Sequence, residues 1–203
     1  MSFLCKVKIS NVTNLSDARY AAAVGIDYIG FCFDPASENY VAPIKAKEMI
    51  DWLSGSHIVG EFGNQSPEEI KDISELLNID VVEVNNRILP DELLHIGKAI
   101  IKKIDLAEYN DEQLKNELQA YSSVCDAFHL FHSKSNHEPH TLVNLASTFQ
   151  IIYGFEITPT SVKSVIDTYK PFAINVSGGI EEKVGIKDFD ELSDLLEVIT
   201  IED

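Results

Sequence analysis

Leu4 to Phe33 reads LCKVKISNVTNLSDARYAAAVGIDYIGFCF, and the order of residue types in it decides the fold class. Leu4–Ser10 and Tyr28–Phe33 are short runs of apolar, β-branched and aromatic residues, the composition of strands. A helix-type run lies between them, with Asn14 or Ser16 available as its cap. The alternation continues along the chain. Further strand-type runs are His57–Phe62, Asp80–Val84, Ala99–Ile104, Asp126–Phe131, Phe149–Gly154 and Phe172–Val176. Ser66-Pro67-Glu68-Glu69 puts proline at a first helical position with acids in the first turn. Thr158-Pro159 repeats the device before Ser161–Tyr169, and Asp188 is placed to open a last helix, Phe189–Val198.

Strand and helix alternate at about 25 residues per unit, which reads as successive βαβ units and a parallel sheet. The expectation is an α/β protein folded as a single (β/α)8 TIM barrel over residues 1–203. A doubly wound open sheet is the runner-up, because periodicity alone does not separate the two.

The formal net charge of −17 repels phosphate backbones and argues against nucleic acid as a partner. No apolar run reaches the length of a membrane span, and the first residues lack a signal-peptide layout, so no membrane partner is expected. Cys5, Cys32 and Cys125 are odd in number and widely spaced, which fits a reducing cytoplasm rather than a disulfide framework. No cofactor is implied. Four histidines fall between His129 and His140, but no zinc signature of familiar spacing is present, and no metal site is expected. Trp52, in a helix-type run, reads as packing.

A barrel places function where strands end and loops begin, at its C-terminal face. The unusual residues cluster there: Ser10-Asn11, Asp34–Asn39, Glu83–Asn86, His132–His140, Gly154–Glu156 and Ser177–Gly179.

Residues Lys6 to Asn14, KVKISNVTN, are similar to the K-I-C-G-I-T-N of phosphoribosylanthranilate isomerases. Gly25 to Phe31, GIDYIGF, resembles that family's G-A-D-x-x-G-F. Asn39-Tyr40-Val41 lies near its R-Y-V, and Phe62-Gly63-Asn64 near its F-V-N. Asn175 to Glu181, NVSGGIE, resembles D-V-S-S-G-V-E, and Gly185-Ile186-Lys187-Asp188 the following G-x-K-D. The order and spacing of these matches, over nearly the whole chain, make the set specific. The resemblance implies an Amadori rearrangement of a phosphoribosyl-aminobenzoate, in which an acid opens the sugar ring and a base removes the C2′ proton. It also implies a phosphate cradle and a cation for the substrate carboxylate.

The chain departs from the family where the chemistry sits. Ser10 stands in place of the general-base cysteine, and Asn11 in place of the following glycine. A thiol titrates near 8.5, whereas an unassisted hydroxyl yields essentially no anion at neutral pH. Ser10 is therefore an activated serine, one that only hydrogen-bonds a ligand, or a polar filler at a lost site; an activating base is not evident nearby in sequence. The family's acid, an aspartate ending the sixth strand, falls on Phe131 or on His132, depending on how Asp126–Lys134 is anchored. Of these only His132 can donate a proton. The carboxylate-binding arginine is replaced by Asn39, which cannot imitate a bidentate guanidinium. Glu83 and Asn175 replace a glutamine and an aspartate, and with Asn39 they are the candidate substrate-pocket residues. Glu61 and Glu83 stand on strands, where one is a replacement base with a raised pKa or both pair with Lys8 or Lys102. The phosphate end is closer to the family. Gly154, Phe155, Ser177, Gly178 and Gly179 are the candidate phosphate-binding residues, although Phe155 brings a bulky side chain and Glu156 a repelling charge.

Together these features predict a divergent family member that binds a small phosphorylated metabolite, as monomer or homodimer, with the ancestral activity weakened or lost. An active isomerase of tryptophan biosynthesis using Ser10 and His132 is the second reading, and a non-catalytic interaction or structural subunit the third.

Overall fold

In the computed structural model the described residues are 2–85, 87–135, 141–177, 181–183, 186–187 and 189–201. The order is β1 (Lys6–Ser10), α1 (Leu15–Val24), β2 (Tyr28–Cys32), α2 (Pro43–Ile50), β3 (His57–Phe62), α3 (Pro67–Leu76), β4 (Val81–Val84), α4 (Pro90–Leu93), β5 (Ala99–Asp105), α5 (Asp111–Tyr121), β6 (Ala127–Phe131), α6 (Leu142–Ala146), β7 (Ile151–Tyr153), α7 (Val162–Tyr169) and β8 (Ala173–Ser177). A small antiparallel pair, β9 (Glu181–Lys183) and β10 (Ile186–Lys187), precedes α8 (Asp190–Ile199). β1 pairs in parallel with β2 on one side and with β8 on the other, so the sheet closes into a barrel and the open-sheet alternative falls.

Local signals explain the helix starts. Asn14, not Ser16, caps α1 by accepting the Asp17 N–H at 2.9 Å. Ser66 and Glu69 form a reciprocal capping box before Pro67. Thr158-Pro159 does not open a helix directly. The Thr158 carbonyl accepts from Ser161 and Val162, making a turn from which α7 begins at Val162. Asp188 lies outside the described residues; α8 begins at Asp190 behind Phe189. Trp52 is not packing: it follows α2 and is 69% exposed. Among the described residues no helix is long and apolar enough to cross a membrane.

Side-chain alternation along the strands builds two apolar clusters. Outward residues such as Ile9, Phe31, Val82, Leu130 and Ile174 join the helices in the larger core. Inward residues at the N-terminal end, including Tyr28, Val59, Val81, Ile101 and Ile152, plug the barrel floor. The inward positions next along each strand are Lys8, Gly30, Glu61, Glu83, Lys103, His129, Gly154 and Asn175. A layer of polar side chains thus lies between the apolar floor and the C-terminal mouth.

An aspartate precedes each of β2, β4 and β6 and ties the foot of the preceding strand. Asp27 accepts the Val7 N–H, Asp80 the Ile58 N–H and Asp126 the Ile100 N–H, each at 2.8 Å. The register of the barrel floor is therefore pinned at every second junction until β8, where Phe172 takes the equivalent place. Asp27→Ala leaves the buried Val7 amide without its charged acceptor and is expected to lower unfolding free energy by about 1–3 kcal/mol. The surface control Asp72→Ala is expected to stay within about 0.5 kcal/mol. Urea denaturation of the two variants checks both.

Candidate active site

Lys8 organises the polar layer. Its side chain is fully buried, and its ammonium donates to Glu61 Oε1 at 2.5 Å and to Ser10 Oγ at 2.5 Å. Glu83 Oε2 lies 3.2 Å away on the other side. Burial alone would push the lysine down, but Glu61 and then Glu83 outweigh it and hold its pKa above the ordinary lysine value. Lys8 is therefore a fixed cation and not a base. The pairing of Glu61 and Glu83 with Lys8 is as the strand pattern suggested, but Lys102 is not a partner. Lys102 faces outward to Glu117 at 3.5 Å, and it is Lys103 that turns inward, 3.9 Å from Glu83 Oε1.

Ser10 is 3% exposed, with its hydroxyl caught in this network. Its oxygen accepts from the Lys8 ammonium, and its own proton is donated to Asn175 Oδ1 at 2.7 Å. An activating base would have to accept that proton and hold it, which an amide carbonyl beside a cation does not do. The arrangement makes Ser10 a hydrogen-bonding link between β1 and β8. Asn11 follows with φ +59°, in the left-handed region where glycine and asparagine are tolerated, and its N–H donates to Glu61 Oε2 at 3.1 Å.

Glu83 and His129 form a second buried pair. His129 Nδ1 lies 3.0 Å from Glu83 Oε2. Burial would push the Glu83 carboxyl up, but Lys8, His129 and Lys103 hold it well below the usual carboxylate range. A replacement base with a raised pKa is thus not what Glu83 is. Burial pushes the His129 imidazole below its ordinary value against the pull of Glu83, so it stays neutral at physiological pH. Gly154 makes room for this ring: a Cβ there would stand 2.5 Å from His129 Nε2.

The acid end divides between two residues. Phe131 continues the inward series Ala127, His129, Phe131 at the top of β6. His132 lies past the strand end and turns back on its own loop, its Nδ1 accepting the Lys134 N–H at 3.2 Å. No contact joins it to Ser10, Glu83 or Asn175 among the described residues. Asp105, in register with Phe131 on β5, is a carboxyl that sequence reasoning missed. Burial raises its pKa, but hydrogen bonds from Ser133 and Ala107 outweigh this and hold it below the ordinary aspartate value, leaving no proton to give at neutral pH.

At the mouth, Asn39 and Glu83 line one cleft of about 280 Å3 together with Asn11, Cys32, Asp34, Glu61 and Lys103. Asn175 and Ser10 reach it only through Lys8 and Glu61. At the phosphate end the Gly154 N–H is already donated to Leu130 O at 2.9 Å, so the next donor along is the Phe155 N–H. The Phe155 ring turns away from the mouth into the outer core, 5% exposed and 5.0 Å centroid to centroid from Tyr153, and does not crowd the site. The Ser177 backbone lies in register with Ser10. Gly178, Gly179 and the histidine-bearing segment 136–140 lie outside the described residues.

The N-(5′-phosphoribosyl)anthranilate (PRA) isomerase family model matches residues 7–198. The chain belongs to the PRA isomerase family. The PRA isomerase of Thermotoga maritima is 28% identical over 196 residues, covering 93% of this chain and 95% of that one. The Geobacter sulfurreducens enzyme is 26% identical over 198 residues, covering 91% and 93%. Among solved structures, the T. maritima PRA isomerase superposes with a TM-score of 0.82 at 26% identity, covering 96% of this chain and 98% of that one. A PRA isomerase in complex with reduced 1-(o-carboxyphenylamino)-1-deoxyribulose 5-phosphate gives 0.81 at 26% identity, covering 95% and 97%. Alongside these relatives the family fold is intact, and the Lys8–Glu61–Glu83–His129 layer lies beneath the mouth of this barrel.

Lys8→Met removes the one cation that both glutamates share and is expected to cost about 3–5 kcal/mol of stability, because two buried carboxylates lose their partner. Chemical denaturation measures it. Acid should also destabilise the fold in two stages. His129 is held below its unfolded value, so the unfolded chain takes up the proton first and stability falls as pH drops through about 6.5. Glu83 is held below its unfolded value, so its contribution is full above about pH 4.3 and is lost as pH falls further. Thermal midpoints between pH 7.5 and 5 should decline for the parent protein and decline less for His129→Gln.

Proposed function

We propose that this PRA isomerase family barrel binds a small phosphorylated metabolite at its C-terminal face, and that Amadori isomerisation of phosphoribosylanthranilate is weakened or lost in it. The observation that carries this reading is the Ser10 hydroxyl, which sits at the base position between the Lys8 ammonium and the Asn175 carbonyl and so has no group to take its proton. The acid position supports it as well: Phe131 has no proton to give, Asp105 is held ionised, and His132 faces its own loop. Asn39 leaves the mouth without the guanidinium that would clamp a carboxylate. Phosphate recognition is assigned to the Phe155 N–H and to Gly178 and Gly179 after Ser177, a reading supported by the Phe155 ring's packing against Tyr153 in the outer core. The protein is proposed to work in the cytoplasm as a monomer or homodimer; the T. maritima PRA isomerase is described as dimeric.

The test is a direct assay. General acid–base groups each contribute about 10²–10⁴-fold, so kcat/KM for phosphoribosylanthranilate should lie at least about 10²-fold below that of the T. maritima enzyme measured alongside. Ser10→Ala should leave any residual turnover within about twofold, since a hydroxyl that is not a base contributes little to the barrier. Turnover matching the T. maritima enzyme and falling on Ser10→Ala or His132→Ala would establish an active isomerase with substituted groups instead.

A further inference from the structure

One buried atom in the mouth lacks a partner. Glu83 is 2% exposed, and its Oε2 is occupied by Lys8 and His129. Its Oε1 accepts no hydrogen bond among the described residues. The nearest cation, Lys103, stands at 3.9 Å, beyond hydrogen-bonding distance, and is partly exposed. A buried carboxylate oxygen with an empty acceptor position is costly, and native structures seldom leave one without a reason. This oxygen belongs to a residue lining the cleft that also holds Asn11, Asp34, Asn39 and Lys103. The missing donor is therefore expected from whatever occupies that cleft.

The lining restricts what the occupant is. Among the described residues, Asp34, Glu61 and Glu83 face it against the ammonium of Lys103, since Lys8 lies beneath and is already shared by two glutamates. A further carboxylate brought here meets like charge, whereas hydroxyl groups meet carboxylate acceptors and amides that both donate and accept. We propose that this cleft binds the hydroxyl-bearing chain of a sugar phosphate, with a ligand O–H donated to Glu83 Oε1, and rejects the carboxylated aromatic ring of phosphoribosylanthranilate. The proposal rests on the phosphorylated-ligand reading above and adds the chemistry of the part that is not phosphate.

Titration calorimetry on the full chain tests it with four probes: ribitol, ribose 5-phosphate, inorganic phosphate and 2-aminobenzoate. Ribose 5-phosphate should bind at least tenfold more tightly than inorganic phosphate, and 2-aminobenzoate at least tenfold more weakly than ribose 5-phosphate. Glu83→Gln should weaken ribitol and ribose 5-phosphate at least tenfold and leave inorganic phosphate within twofold. Asn39→Ala alters an exposed cleft residue and serves if Glu83→Gln fails to fold; it should weaken both sugar probes at least threefold. Ribitol binding that depends on Glu83 or Asn39, with no gain from phosphate, would sink the phosphate reading and leave this one standing. Phosphate binding with sugar affinity unchanged in whichever variants fold would do the reverse. Binding of 2-aminobenzoate as tight as ribose 5-phosphate, or no binding of either sugar probe, overturns the proposal.

Discussion

The Lys8 ammonium, fully buried inside the barrel, is the constraint on which the rest of the interior depends. A charge taken out of water is tolerable only when it is paired and its hydrogens are used. Here Glu61, Glu83 and Ser10 do that, and each draws in a further group: Asn11 N–H on Glu61, His129 and Lys103 around Glu83, Asn175 on Ser10. Glycines make the layer fit. A Cβ at Gly30 would stand 2.3 Å from Glu61 Oε1, and one at Gly154 would press on His129. Long polar chains on some strands are matched by missing side chains on their neighbours, the usual way a barrel layer is filled.

This layer has a chemical consequence at the mouth. A base needs a raised or mid-range pKa and an acid needs a proton at working pH. The network does the opposite to its members. It holds Lys8 protonated, Glu83 ionised and His129 neutral and buried, so that each is fixed in one state across the physiological range. Perturbed titration often marks catalysis, but here the shifts run in the direction of a structural ion cluster. Ser10 is held by that cluster rather than freed by it.

The strand–helix order and the capping of α1 and α3 were legible in the sequence because each depends on local residue types, whereas closure of the sheet rests on the long-range pairing of β1 with β8. The pairing of Lys8 with the glutamates was legible as one of two alternatives, since Lys8, Glu61 and Glu83 sit on strands. Lys102 and Lys103 show where legibility ends. Two consecutive lysines give no phase, and a parallel strand buried on both sides is apolar in both phases. Only the placement of Ile101 in the floor and Ile104 in the outer core assigns Lys103 to the interior. The same counting places Phe131, not His132, on the inward side of β6. His129 is inward by the same phase, two residues beyond Ala127 of the floor, which a cluster of four histidines in the sequence does not reveal. Trp52 failed for another reason: helical periodicity identifies a helix but not whether its neighbour α1 or solvent covers a residue just past its end.

Fold and mouth draw on different atoms in this chain. The barrel is held by outward apolar residues, by the apolar floor and by the Asp27, Asp80 and Asp126 clamps, all away from the mouth. Side chains at the mouth carry little of that stability, so an exposed residue such as Asn39 can vary at almost no cost to the fold. Ser10 differs. It stands at the rim of the polar layer, and its two hydrogen bonds are part of what keeps Lys8 satisfied. A thiol in its place would have to accept from the same ammonium, and a thiolate there would find in Lys8 a counter-ion already shared by Glu61 and Glu83. A cysteine at this position would therefore meet a salt-bridged cluster whose charges are already matched.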